Sequence, residues 1–163
     1  MLKRFIWVVV ATLFFAFQVH IGNAAAVELD ESVRTVKLND GGEEVVLSVK
    51  EVQKGQRLFN STCSECHMGG RTKTNPNITL ALDSLAGSEP SRDNIMGIVD
   101  YMKHPLTYDG QQELSLLHPN TERTDLYPEM RSITDDDLKA IAGYILMQPK
   151  IRGASWGGGK VYQ

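Results

Sequence analysis

The pentapeptide Cys63-Ser64-Glu65-Cys66-His67 carries two cysteines separated by two residues and followed at once by a histidine. That spacing is the attachment signature of a c-type haem. In this reading the thiols of Cys63 and Cys66 add to the two vinyl groups of the porphyrin, and the imidazole of His67 is the proximal iron ligand. Other uses of the motif fit less well. A structural zinc site needs four nitrogen or sulfur ligands, but the chain has two cysteines, and His104 and His118 lie too far apart to complete a finger. A thioredoxin-like dithiol belongs beside a βαβ pattern, which the sequence lacks, and it leaves His67 without a role. A plain Cys63–Cys66 disulfide would suit an exported chain and again ignores the histidine.

Export itself is written into the first residues. Lys3 and Arg4 precede an apolar run from Phe5 to Val19, and Ala24-Ala25-Ala26 offers small residues for cleavage. The run is shorter than the roughly 20 residues that span a bilayer, so residues 1–26 read as a cleaved signal peptide and residues 27–163 as one domain. The formal charge is −3, and losing Lys3 and Arg4 makes the mature chain two units more negative. Such an acidic surface argues against nucleic acid as a partner and against an anionic membrane surface.

After the signal, Val33–Leu38 and Glu43–Leu47 lean towards strand and flank Asn39-Asp40-Gly41-Gly42, which predicts a small hairpin. Ser48 and Glu51 have capping-box spacing, opening a helix with Val52, Gly55 and Phe59 near one face. Gly69 to Pro90 reads as a loop folded over something apolar through Leu80, Leu82 and Leu85. Ile95, Ile98, Val99 and Met102 form the buried stripe of a helix over 92–103, ended by His104-Pro105. Gln111 to Leu117 is read as a short helix delivering His118-Pro119. The last helix has Thr134 as N-cap, Asp135, Asp136 and Asp137 complementing its dipole, an apolar face of Leu138, Ile141, Ile145 and Leu146, and Pro149 as its stop. Gly153 to Gln163 is too rich in glycine for regular structure.

Residue patterning leaves the sixth iron ligand open. Met130 stands before the last helix, where carriers use methionine; His118 and His104 compete with it. Met68 adjoins His67 and cannot reach the opposite side, while Met96, Met102 and Met147 read as packing residues.

A helix bearing glycine and an aromatic before the haem motif, irregular middle segments and a last helix with Tyr144 resemble the class I cytochrome c fold. That likeness implies a mainly α domain around one covalently bound haem c, with Gly55 and Tyr144 at the crossing of the first and last helices. More specifically, Thr72 to Pro76, Arg92 to Ile95, Val99 to Lys103, Tyr108 to Gly110, His118-Pro119, Asp137 to Leu146 and Trp156 to Gly159 resemble the low-potential cytochrome c-550 family of photosystem II. Leu106, where threonine is expected, and Gln163, where an aromatic is expected, depart from the family pattern. The resemblance implies His118 as the sixth ligand. It also implies an extrinsic, non-enzymatic subunit in the thylakoid lumen, bound to the photosystem II core and other extrinsic subunits, that stabilises the oxygen-evolving complex and its calcium and chloride. A freely diffusing electron carrier is the alternative. Trp156 and Tyr162, flanking the glycine run, are expected to serve as aromatic anchors for docking.

Overall fold

The computed structural model describes residues 29–158. The expected signal peptide, and the chain end from Gly159 to Gln163 with Tyr162, lie outside the described residues. Asp30 is the N-cap of a short helix, α1 (Glu31–Arg34), its carboxylate accepting from Ser32 N. Strands β1 (Thr35–Lys37) and β2 (Glu44–Val46) then pair antiparallel, with Thr35 opposite Val46 and Lys37 opposite Glu44. The hairpin is present but shorter than expected, because the Asp30 cap draws Val33 and Arg34 into helix.

Ser48 and Glu51 form the capping box that starts α2 (Val49–Leu58). Both orphan amides are thereby satisfied by local side chains. A π-helical turn over Phe59–Cys63 follows, then α3 (Ser64–His67) and a 3-10 turn over Met68–Gly70. The long loop contains α4 (Leu82–Ala86), which buries Leu85 but leaves Leu82 about half exposed, so Leu82 is not the apolar anchor expected of it.

Helix α5 (Ile95–Lys103) is capped by Asn94, whose side chain accepts from Gly97 N, and it buries the expected stripe of Ile95, Ile98, Val99 and Met102. Met96 lies off that stripe and is exposed, contrary to its reading as a packing residue. Residues 111–117 do not form the expected helix. Thr107 Oγ1 accepts from the amides of Gln111 and Gln112, which turns the chain and pairs Leu106 with Glu113 in an antiparallel bridge. Two consecutive side-chain-bound amides offer the backbone an alternative to a helical ladder.

Helix α6 (Asp135–Arg152) opens with a Thr134/Asp137 capping box and is buried all round from Ala140 to Gln148 rather than along one stripe. It is enclosed because α2, α5, β1 and α1 all pack on it. Pro149 lies inside the helix instead of stopping it; in the last turns proline removes only its own donor, and Gly153 N closes the end on Pro149 O. Each aspartate of the first turn also has a lysine partner: Asp135 with Lys103, Asp136 with Lys139 and Asp137 with Lys54. Among the described residues no helix is long and apolar enough to cross a membrane.

Helices α2 and α6 meet where Gly55 lies against Ala140 and Tyr144. A Cβ on Gly55 would stand 2.0 Å from the Ala140 carbonyl oxygen and 2.9 Å from the Tyr144 Cβ. Absence of a side chain at Gly55 is what lets the two backbones approach, and the approach aims the end of α2 at the cysteine motif.

Candidate functional site

The π-helical turn widens the backbone just before Cys63, with Ser64 N donating to Phe59 O. Such turns are short insertions that re-aim neighbouring side chains and recur at functional sites. Phe59 is anchored by ring contacts to Tyr144 at 5.4 Å and Trp156 at 5.7 Å. The motif therefore starts from a fixed aromatic cluster and ends in a flexible-backbone glycine pair, Gly69 and Gly70, both at positive φ. Lys73 N returns to Cys66 O and ties the loop back on the motif.

Cys63 and Cys66 are not joined in a disulfide. Burial, with a smaller contribution from Cys66, pushes the Cys63 thiol up to about 12, so it stays protonated at neutral pH. Burial also lowers the pKa of His67, whose Nδ1 pairs with Thr72 Oγ1 at 3.3 Å. His118 comes down to about 4, first through burial and then through His67, against a small opposing effect of the Pro119 carbonyl. Both rings are therefore neutral at neutral pH, the form in which imidazole binds a metal.

His118 is brought into place by a loop organised on Asn120. The buried Asn120 amide donates to Ser115 O and His118 O, and its oxygen accepts from Glu122 N and Arg123 N. The His118 Nδ1 lies 2.8 Å from Pro119 O. A carbonyl can only accept, so Nδ1 carries the proton and Nε2 keeps the lone pair, an orientation common in metal-binding histidines.

The rings of His67 and His118 stand with centroids 6.1 Å apart and their planes tilted by 52°. Two imidazoles on opposite sides of a single first-row metal, each giving it one nitrogen at about 2.0 Å, stand roughly 6 Å apart by centroid. Donor chemistry, tautomer and separation thus fit one iron between the two histidines, with the two cysteines not joined in a disulfide.

The other candidate ligands are elsewhere. His104 is exposed and lies between Asp100 and Glu122. Met130 is buried among the core side chains. Trp156, expected as a docking anchor, is 2% exposed; its Nε1 donates to Leu80 O, and its ring packs on Phe59 and Tyr144. The described part of the tail therefore folds back onto its own domain. Glycine neighbours make this possible: a Cβ on Gly70 would stand 2.8 Å from the indole. Sequence reasoning missed Tyr101, which meets the His118 ring edge-on at 4.8 Å, and Arg92, stacked 3.9 Å over Tyr101. Tyr101 is three residues after Ile98, a spacing that places it on the flank of the α5 stripe.

The cytochrome c-550 domain family profile matches residues 27–163. Photosystem II extrinsic protein V of Aphanothece halophytica is 56% identical over 162 residues, covering 99% of both chains. The protein of that name from Nostoc punctiforme is 55% identical over the same share of each chain. Among solved structures, cytochrome c549 superposes with a TM-score of 0.77 at 51% identity, over 78% of this chain and 99% of that one. The chain thus belongs to the cytochrome c-550 family and has the class I cytochrome c fold, a mainly helical domain with a small hairpin.

Proposed function

We propose that this chain is an extrinsic haem subunit on the lumenal side of photosystem II that stabilises the oxygen-evolving complex and supports its calcium and chloride retention. The observation carrying the haem reading is the pair of neutral imidazoles, His67 and His118, 6.1 Å apart by centroid, with Cys63 and Cys66 not joined in a disulfide. The family is one of electron-transfer or structural haem proteins, not enzymes, and a c-type haem comes with it. Cys63 and Cys66 would hold one haem c through thioether bonds, and His67 and His118 would supply the nitrogen ligands to its iron.

When bound, the haem supplies a one-electron couple of low potential, because two imidazoles favour ferric iron more than imidazole and thioether do. The chain's own residues hold and orient. Pro119 O fixes the His118 tautomer, Asn120 fixes its loop, and the Phe59–Trp156–Tyr144 cluster fixes the start of the motif. With both imidazoles given to the iron, these residues would leave it no open position for substrate, in keeping with the non-enzymatic family.

Photosystem II as partner follows from what the relatives are called. Export is supported by the family domain beginning at residue 27, directly after the expected cleavage site. An acidic extrinsic domain holds its complex by protein contacts that weaken with salt. The test is rebinding of the haem-loaded protein to salt-washed photosystem II particles. Rebinding should restore oxygen evolution when calcium and chloride are scarce, and high salt should release the protein. Absence of binding would favour the freely diffusing electron carrier.

A further inference from the structure

Arg92 is an anomaly of charge. It is 7% exposed, its Nη2 donates to Leu106 O at 3.1 Å and Thr107 O at 2.9 Å, and no carboxylate pairs with it among the described residues. Burying a guanidinium is costly unless other groups compensate, so buried arginines are rare away from sites that use them. Two carbonyl dipoles and one aromatic face are the compensation here. The guanidinium carbon lies 3.9 Å from the centroid of Tyr101, within the range in which a cation is attracted to a ring face.

Tyr101 in turn meets His118. Their centroids are 4.8 Å apart at an interplanar angle of 62°, an edge-on contact. Tyr101 projects from α5, whose buried stripe fixes it to the core, whereas His118 sits in a loop. Asn120 holds the loop backbone, while rotation of the imidazole about its own side-chain bonds is restrained by the Pro119 carbonyl and the Tyr101 ring. The planes of His67 and His118 differ by 52°.

We infer that Tyr101 and Arg92 are positioning residues for His118: the tyrosine edge sets the plane of the imidazole, and the stacked guanidinium holds the tyrosine. The inference rests on the axial role of His118 proposed above. Beyond orientation, the pair keeps a fixed positive charge on the His118 side of the centre. A positive charge in a low-dielectric surround favours the more reduced state of a nearby redox group.

Two measurements on the full-length, haem-loaded protein test this: the low-temperature electron paramagnetic resonance spectrum of the ferric form, whose g anisotropy follows the angle between axial imidazole planes, and the midpoint potential. Tyr101→Phe keeps the ring and should keep the wild-type g values; Tyr101→Leu removes it and should shift them. Arg92→Met should lower the midpoint potential, while Arg92→Lys, which keeps the charge, should stay nearer to wild type. If Arg92→Met does not accumulate as folded protein, the Tyr101→Phe and Tyr101→Leu comparison decides alone. A bis-imidazole spectrum that is the same in wild type and Tyr101→Leu overturns the positioning role and leaves the ligand assignment standing. A wild-type spectrum lacking two imidazoles overturns both.

Discussion

Gly55 and Ala140 touch backbone to backbone, so closely that a Cβ on Gly55 would stand 2.0 Å from the Ala140 carbonyl oxygen. Neither partner can yield by rotating a side chain, since the atom in the way is main chain in the buried part of α6. Gly55→Ala should therefore push α2 off α6 and cost about 3 kcal/mol, at the upper end of overpacking effects. Denaturant unfolding of the haem-loaded protein measures it. A variant as stable as wild type would mean that the helices slide apart at little cost.

Trp156 belongs to the core and not to a docking surface. Trp156→Ala empties the space against Phe59 and Tyr144 and should destabilise by about 3–5 kcal/mol. Trp156→Phe keeps much of the ring volume but loses the bond to Leu80 O, adding about 1 kcal/mol to a smaller packing loss. Thermal unfolding should rank wild type above Trp156→Phe and Trp156→Ala lowest. If instead Trp156→Ala is fully stable and fails only to bind photosystem II particles, the indole is an anchor after all.

The parts of this fold that are visible in sequence are those set by local chemistry. Ser48 with Glu51 and Thr134 with Asp137 cap helices through bonds three residues apart, and Gly55 and Tyr144 were readable by resemblance. Residues 111–117 misled because their outcome depends on Thr107, whose hydroxyl captures two amides from outside the segment. Pro149 misled because proline near a helix end removes little when neighbouring elements enclose the helix. Trp156 misled because a glycine-rich context reads as irregular, whereas Gly70 is the small partner that lets the indole in and Gly157 lets the chain pass close to Ala81. Of the site, the cysteine motif was legible at once, while Tyr101 and Asn120 act through contacts that only folding creates.

Asn120 should be the residue on which the His118 loop depends most. Its side chain satisfies two carbonyls and two amides in a fully buried position. Asn120→Ala leaves these groups without partners and should cost about 2–4 kcal/mol, since each buried group left unsatisfied costs about 1–3. The loss is local. Amide hydrogen exchange should speed up over residues 114–123 well before α2 and α6 are affected, and uniform protection across the chain would refute a local role.

Acid should weaken the crossing of α2 and α6 through Asp137. Its carboxylate accepts from Lys54 at 2.7 Å and from Thr134, and these bonds hold its pKa at about 2 against an ordinary value of 3.8. The folded value is depressed, so this contribution is complete above about pH 3.8 and is lost as pH falls through about 2. Lys54 is the first cause of the shift, but its side chain is 40% exposed, and solvent screening limits the pair to about 1 kcal/mol. Lys54→Met should raise the Asp137 pKa towards its ordinary value and move the acid unfolding midpoint to higher pH, with stability at neutral pH lowered by about that same 1 kcal/mol. The Thr134 bonds remain in that variant, so the pKa should recover only in part. Acid titration followed by circular dichroism compares the two proteins. Identical acid midpoints would show that the Lys54–Asp137 contact contributes nothing to the fold in solution.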